Sequence, residues 1–239
     1  MPNAQSTKSN PKFGPSRDSI LGEEKERGRH KYSLWLHYSW KNRQDVRIRG
    51  NTAFLHFLWL ESDCTVQRYV LEPQESLVVI DGNDHKTKFD AEVYRTTGEH
   101  ELHEVKSYDP ETKPKTIRDQ HQLEAQTMAA ARENADYIRV GPSTLVPHTQ
   151  RINNWLQASG YLAACQRHVL PPYAMHLLHG LHDGESHPLS QLLIGTEPDY
   201  QPVYLAAFFD LYQSRRVLSD LAEQPFSLRT QVSLPGDTR

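Results

Sequence analysis

The residues best suited to chemistry lie between Phe89 and Lys106, in the stretch FDAEVYRTTGEHELHEVK. Phe89, Ala91 and Val93 alternate with Asp90, Glu92 and Tyr94, which is the two-residue period of a strand. Thr97-Gly98 is a turn signal, and Leu102 to Lys106 alternates again. The spacing predicts a hairpin in which one strand delivers Asp90 and the next delivers Glu104 and Lys106 on a single face. Two carboxylates suit Mg²⁺, which prefers oxygen ligands, and an ammonium beside them suits phosphodiester hydrolysis. The lysine would position the attacking water or offset developing charge. Asp, Glu and Lys at alternating positions are also the ordinary wet face of a hairpin, so the surrounding elements must decide.

The elements read from the sequence place that hairpin inside a mixed α/β unit. Val46 to Arg49 reads as a short strand ending at Gly50. Asn51 to Glu61 reads as a buried helix capped by Asn51 or Thr52. Val66 to Leu71 and Ser76 to Ile80 read as strands, and Asp81 to Asp84 as a turn. After the hairpin and the loop SYDPETKPK comes a long helix, Thr116 to Asn134, and a last strand, Tyr137 to Val140. Beyond Gly141 helices are expected at Thr149 to Ala164, Tyr173 to His182, Pro188 to Ile194 and Pro202 to Arg215. Gln224 to Leu234 would follow as a strand or hairpin wing. Three helices and a strand pair suggest a winged-helix-like module, which places a helix in a DNA groove or docks a protein.

The expected division is a basic arm over residues 1–28, an α/β domain over 29–141 and a smaller helical domain over 142–239. The arm is rich in Asn, Ser, Pro and Lys and is expected to be disordered. The first 50 residues carry a charge balance of +6 and the remaining 189 a balance of −9, within a net charge of −3. A basic arm on an acidic body suits a phosphate backbone and equally suits a solubilising tail. The aromatic run YSLWLHYSW, with Trp35, His37 and Trp40, suits core packing or base stacking, with core packing the better use.

Hydrophobic residues make up 37% of the 239 and charged residues 24%, enough for a packed core. No apolar run reaches the length of about 18 residues that a membrane helix needs, and the polar, Pro-rich N-terminus does not read as a signal peptide. Cys64 and Cys165 are too far apart in sequence for a close metal pair and read as buried thiols of a reducing cytoplasm. His176, His179 and His182 recur every third residue, which reads as a polar helix face rather than a metal site.

Three stretches together carry a family likeness: FLHFLWLESDCTVQRYVLEP (54–73), the strand pair containing KFDAEV and HEVK, and VYLAAFFDLYQSRRVLSDLAEQPFSLRTQVSL (203–234). In this order, over about residues 40–235, the chain resembles the TnsA-like subunits of heteromeric transposases, which are PD-(D/E)xK nucleases. The resemblance implies a restriction-endonuclease-like mixed sheet flanked by helices, followed by the winged-helix-like domain. It implies cleavage of double-stranded DNA at the 5′ ends of a transposon with Mg²⁺ or Mn²⁺. It also implies a partner, a DDE-type transposase subunit that handles the 3′ ends, and often an ATP-dependent regulator. Asp90 then matches the metal-binding Asp, Glu104 an acidic or amide ligand, and Lys106 the catalytic lysine. Val105 would offer its carbonyl to the metal.

One position departs from the family. Its early helix Glu falls at about Ala53, which cannot bind metal. Asn51, His56 and Glu92 are candidates for a supporting role. Glu61, about 12 Å further along the helix at about 1.5 Å per residue, should miss the site. The departure also motivates a reading in which the nuclease fold survives only as a DNA- and transposase-binding scaffold. A stand-alone repair or restriction-type nuclease is a third reading, which leaves the C-terminal likeness unexplained.

Overall fold

The computed structural model describes residues 33–236 apart from 81, 113–115 and 183, so the arm over 1–28 lies outside the described residues. Strands β1 (Leu34–Ser39) and β2 (Gln44–Arg49) form a hairpin that leads into helix α1 (Asn51–Ser62). Strands β3 (Val66–Leu71), β4 (Ser76–Ile80), β5 (Asn83–Thr87), β6 (Ala91–Arg95) and β7 (His100–Val105) follow. Helix α2 (Ile117–Arg132) then crosses to strand β8 (Asp136–Val140).

The central sheet has four strands in the order β3-β6-β7-β8. Its first two pairings are antiparallel, and β7 with β8 is parallel. The parallel step requires a crossover, and α2 supplies it. Thr116 caps α2 through a reciprocal pair of bonds with Asp119, the arrangement that satisfies orphan N–H groups at a helix start. The fold is therefore mixed α/β, with a sheet faced by helices.

The alternation of β7 sorts its side chains to two helices. Leu102 packs with Phe89, Ala125, Ala129 and Ala130 under α2. His103, on the other face, meets His56 of α1. Helix α1 is apolar nearly all round, with Phe54, Phe57, Leu58 and Leu60 buried, as a helix enclosed on several sides must be. Its N-cap is Gly50 at φ 93°, without a side-chain cap bond. Asn51, expected as a cap, instead accepts a hydrogen bond from Trp35 Nε1 at 3.2 Å.

The C-terminal half contains α3 (Pro142–Leu145), α4 (Thr149–Ala164), α5 (Pro171–His179), the short α6 (Leu189–Leu192) and α7 (Gln201–Gln213). Strands β9 (Ser186–Pro188), β10 (Leu218–Ser219) and β11 (Gln231–Ser233) make a small sheet in the order β10-β11-β9. These helices share one apolar core with the first half, running from Trp40 and Phe57 through Trp155 and Phe209 to Val232. Trp40 Nε1 donates to Asp210 at 2.6 Å across the two halves, with Arg43 over the Trp40 ring. His37 Nε2 meets Ser159 Oγ at 2.8 Å, and Trp35 stacks on Phe54. The aromatic run is thus engaged in packing.

Several boundaries differ from the expected ones. Helix α5 stops at His179, so His182 lies beyond it, against His187. The segment Asn83–Thr87, expected to begin as a turn, is a strand paired with β4. Cys165 is buried as expected, but Cys64 is only half-buried; both are free thiols. Among the described residues no helix is long and apolar enough to cross a membrane.

Candidate functional site

Asp90 sits immediately before β6 rather than within it. Its N–H donates to the His103 carbonyl at 2.9 Å, which extends the Ala91–His103 pairing by one step. That step sets Asp90 beside Glu104, on the face where Glu104 points. Asp90 Oδ2 accepts from the Val105 N–H at 2.6 Å. Lys106, one residue past β7, donates from Nζ to Glu104 Oε1. The three side chains therefore meet at one end of the central sheet.

Asp90, Val105 and Lys106 line a groove of about 580 Å³ whose opposite wall is the start of α1, Gly50 to Ala53. Ser33, Arg49, Ser107 and Tyr108 complete it. The Asp90 residue is open to this groove, yet neighbouring protein crowds its carboxyl. That desolvation, with the Glu104 charge beside it, raises its pKa to about 6, against the pull of the Val105 N–H and the Lys106 ammonium. Glu72 adds to the same repulsion; its N–H donates to the Asp90 carbonyl at 2.9 Å.

Glu104 is buried and tightly held. Gln126 Nε2 donates to its Oε2 at 2.7 Å and Gln122 Nε2 to its Oε1 at 3.2 Å. Gln126 also donates to the Lys88 carbonyl and accepts from Tyr137 OH at 2.7 Å. Burial, then the Glu104 charge, pushes the Tyr137 phenol far above its usual range, so Tyr137 remains a donor. Gln122, Gln126, Tyr137 and Glu72 were not singled out from the sequence. The signal was there for the two glutamines: a spacing of four on one helical face, beside Ala125 and Ala129 on the face α2 buries.

Of the three supporting candidates, Asn51 stands in the α1 wall of the groove, and His56 and Glu92 lie elsewhere. His56 is buried on the reverse face of the sheet, its Nε2 2.9 Å from His103 Nδ1. Burial, reinforced by His103, holds its pKa well below the usual imidazole range. His103 Nε2 meets Glu101 Oε2 at 2.9 Å, and Glu101 is paired twice with Arg95. Arg95 reaches Asp63, which also faces Arg151. Burial would raise the Glu101 pKa, but the His103 bond and the Arg95 guanidinium hold it at about 2. Glu92 shares the Asp90 strand but is engaged with Tyr94 OH and His100 Nε2 and lines a different cleft. Glu61, as expected, is remote from the groove and bonded to Ser39, Trp40 and Tyr69.

Asp90 and Val105 line the groove, and Glu104 lies buried beside it with both oxygens held by Lys106, Gln122 and Gln126; carboxylate and peptide oxygens are the donor class that a hard divalent ion such as Mg²⁺ or Mn²⁺ takes. The raised pKa of Asp90 comes first from desolvation and second from the Glu104 charge, which the Val105 N–H and the Lys106 ammonium only partly offset. The α1 wall contributes no carboxylate, since Asn51, Thr52 and Ala53 stand there. Compared with family models and with curated proteins, the chain matches none.

Proposed function

We propose that the groove bounded by Asp90, Val105, Lys106 and the start of α1 is the active site of a metal-dependent DNA endonuclease. The observation that carries this reading is the convergence of Asp90, Glu104 and Lys106 at one sheet end. The mixed four-stranded sheet between α1 and α2 is compatible with the restriction-endonuclease-like fold that the resemblance implies. Asp90, Glu104 and the Val105 carbonyl would hold the ion. When bound, Mg²⁺ supplies Lewis-acid polarisation of the phosphate and a more acidic water.

The protein's own groups set the geometry. Gln122, Gln126 and, through Gln126, Tyr137 fix both oxygens of Glu104. Glu104 holds the Lys106 ammonium near the groove, where it can orient water and offset charge on a phosphate. The Val105 N–H fixes one Asp90 oxygen and leaves the other for metal. Arg49 on the rim suits a phosphate backbone.

By the same resemblance, the substrate is a transposon end and the partner a DDE-type transposase, with an ATP-dependent regulator and the C-terminal helices as a docking part. The test is cleavage of end-containing DNA with Mg²⁺ or Mn²⁺ and that partner. Asp90→Ala and Lys106→Ala should each abolish cutting while the fold is kept, and cleavage at the wild-type rate by the double variant would reject the reading.

A second reading rests on Ala53 in the α1 wall. Without a carboxylate there, the fold would serve as a scaffold joining DNA to a transposase. It predicts no cutting with any metal or partner, together with salt-dependent DNA binding.

A further inference from the structure

Two residues on from Asp90, within β6 and on a different cleft, a second set of ligand-type side chains converges. Glu92, His100 and Glu133 bring one ligand atom each within 4.8 Å of one another. They come from three elements. Glu92 lies in β6, His100 opens β7, and Glu133 caps the C-terminal end of α2. The Glu92 and His100 side chains are 21% and 19% exposed, partly desolvated yet within reach of an ion.

Each ligand is held by a neighbour outside the trio. Tyr94 OH donates to Glu92 Oε1. The Tyr94 ring stacks on His100 with centroids 4.7 Å apart, and Arg68 lies over the same Tyr94 ring at 3.4 Å. Ser76 Oγ donates to Glu133 Oε1 at 2.9 Å. Partners of this kind orient the ligands of metal sites. The 3.0 Å contact between His100 Nε2 and Glu92 Oε1 is the bond an incoming ion would replace. The carbonyl end of a 16-residue helix also lies here, and the aligned peptide dipoles favour a cation at that end.

We infer that Glu92, His100 and Glu133 form a second divalent-ion site, separate from the Asp90 groove and suited to zinc. One imidazole and two carboxylates select a borderline transition ion; Mg²⁺ and Ca²⁺ favour all-oxygen sets. Three protein ligands leave the fourth tetrahedral position to water. The ion would tie β6 and β7 to the far end of the helix that carries Gln122 and Gln126. It would therefore stiffen α2 against the sheet. A cleft of about 430 Å³ lined by Glu92, Arg132 and Glu133 gives access; the Arg132 guanidinium is turned to the Leu77 carbonyl at 3.0 Å.

The test is calorimetric titration of chelator-treated full-length protein with Zn²⁺, beside Asp90→Asn, His100→Asn and Glu133→Gln. Wild type and Asp90→Asn should each bind one zinc with equal affinity, and His100→Asn and Glu133→Gln should bind at least tenfold more weakly. Co²⁺, added as a spectroscopic probe, should give visible d–d bands that disappear in His100→Asn. Glu133→Gln keeps the Ser76 bond on an exposed helix end, so its fold should survive, and thermal melting without metal checks this. Absence of zinc binding in wild type overturns the proposal, as does equal affinity in His100→Asn and Glu133→Gln. Loss in Asp90→Asn alone assigns the ion to the groove and also overturns it. None of these readouts depends on DNA cleavage.

Discussion

At the scale of single residues, Asp90 is the most informative side chain. A free aspartate titrates near about 3.9, whereas Asp90 in the folded protein titrates at about 6. Between those values the folded state binds more protons than the unfolded chain, so this group's contribution to stability falls as pH rises through the window. Asp90→Asn keeps an acceptor for the Val105 N–H and removes the charge. Its urea midpoint should exceed that of wild type at pH 7.5, and the two should converge near pH 4. Mg²⁺ should raise the wild-type midpoint and leave the variant unmoved. Glu101 behaves in the opposite sense. Its pKa of about 2 lies below the unfolded value, so its contribution is complete above about pH 4.3 and is lost as pH falls through 2. Glu101→Ala removes the closer of the two carboxylates that Arg95 meets, leaving Asp63, and removes the partner of His103 Nε2. It should cost about 1–3 kcal/mol near neutral pH, measured by chemical unfolding, and should shift acid unfolding to higher pH. Glu104 and Lys106 were legible together because residues two apart in an extended run share a face, and Asp90 because the expected hairpin sets its strand against theirs. The buried His56–His103 contact was not. Its partners lie 47 residues apart, and no local period reports which side chains meet across a sheet.

At the scale of elements, α2 governs the groove through Gln126. Gln126→Leu removes the bond to Glu104 Oε2, the bond to the Lys88 carbonyl and the acceptor of Tyr137 OH. Stranding buried polar groups costs about 1–3 kcal/mol each. The variant should lose stability in that range and, where cutting is measurable, slow it more than it weakens DNA binding. Helix α1 was legible from its apolar density and α2 as a long run with apolar residues among polar ones, and both were found within a few residues of the expected ends. Strand β5 was not legible, because Asn83, Asp84, His85 and Lys86 are poor strand residues. Its conformation comes from pairing with β4, whose Val78 and Ile80 are buried, and from lying beside α2. Tertiary pairing overrides local preference there. The cap of α1 was misread for a related reason: Asn51 is drawn to Trp35 by packing of β1 against the helix.

At the scale of the whole molecule, the expected boundary near residue 141 crosses a continuous core. Trp155, Phe208 and Phe209 are buried to within 1% in the cluster that also contains Phe57 and Leu58. Fragments 1–141 and 142–239 produced separately should each lack a cooperative melting transition. Co-produced, they should recover one, which differential scanning calorimetry checks. Trp40→Phe, which removes the bond to Asp210 across the two halves, should cost about 0.5–1.5 kcal/mol, the net worth of a hydrogen bond, since Asp210 keeps Arg43 and solvent. Composition and periodicity report which segments are apolar. They do not report that two apolar faces far apart in the chain cover each other.

Strand β7 carries two unrelated duties on its two sides: Glu104 faces Gln122 and Gln126 of α2, beside the groove, while Glu101 and His103 anchor the charged interior beneath α1. A deletion of one residue in the Thr96–Glu99 turn would invert that ribbon. It would thrust the anchoring pair toward α2 and bury the groove acid against α1. Length in this turn is therefore as constrained as side-chain identity. A library that varies its composition at fixed length should yield folded proteins, and one that varies its length by a single residue should yield almost none.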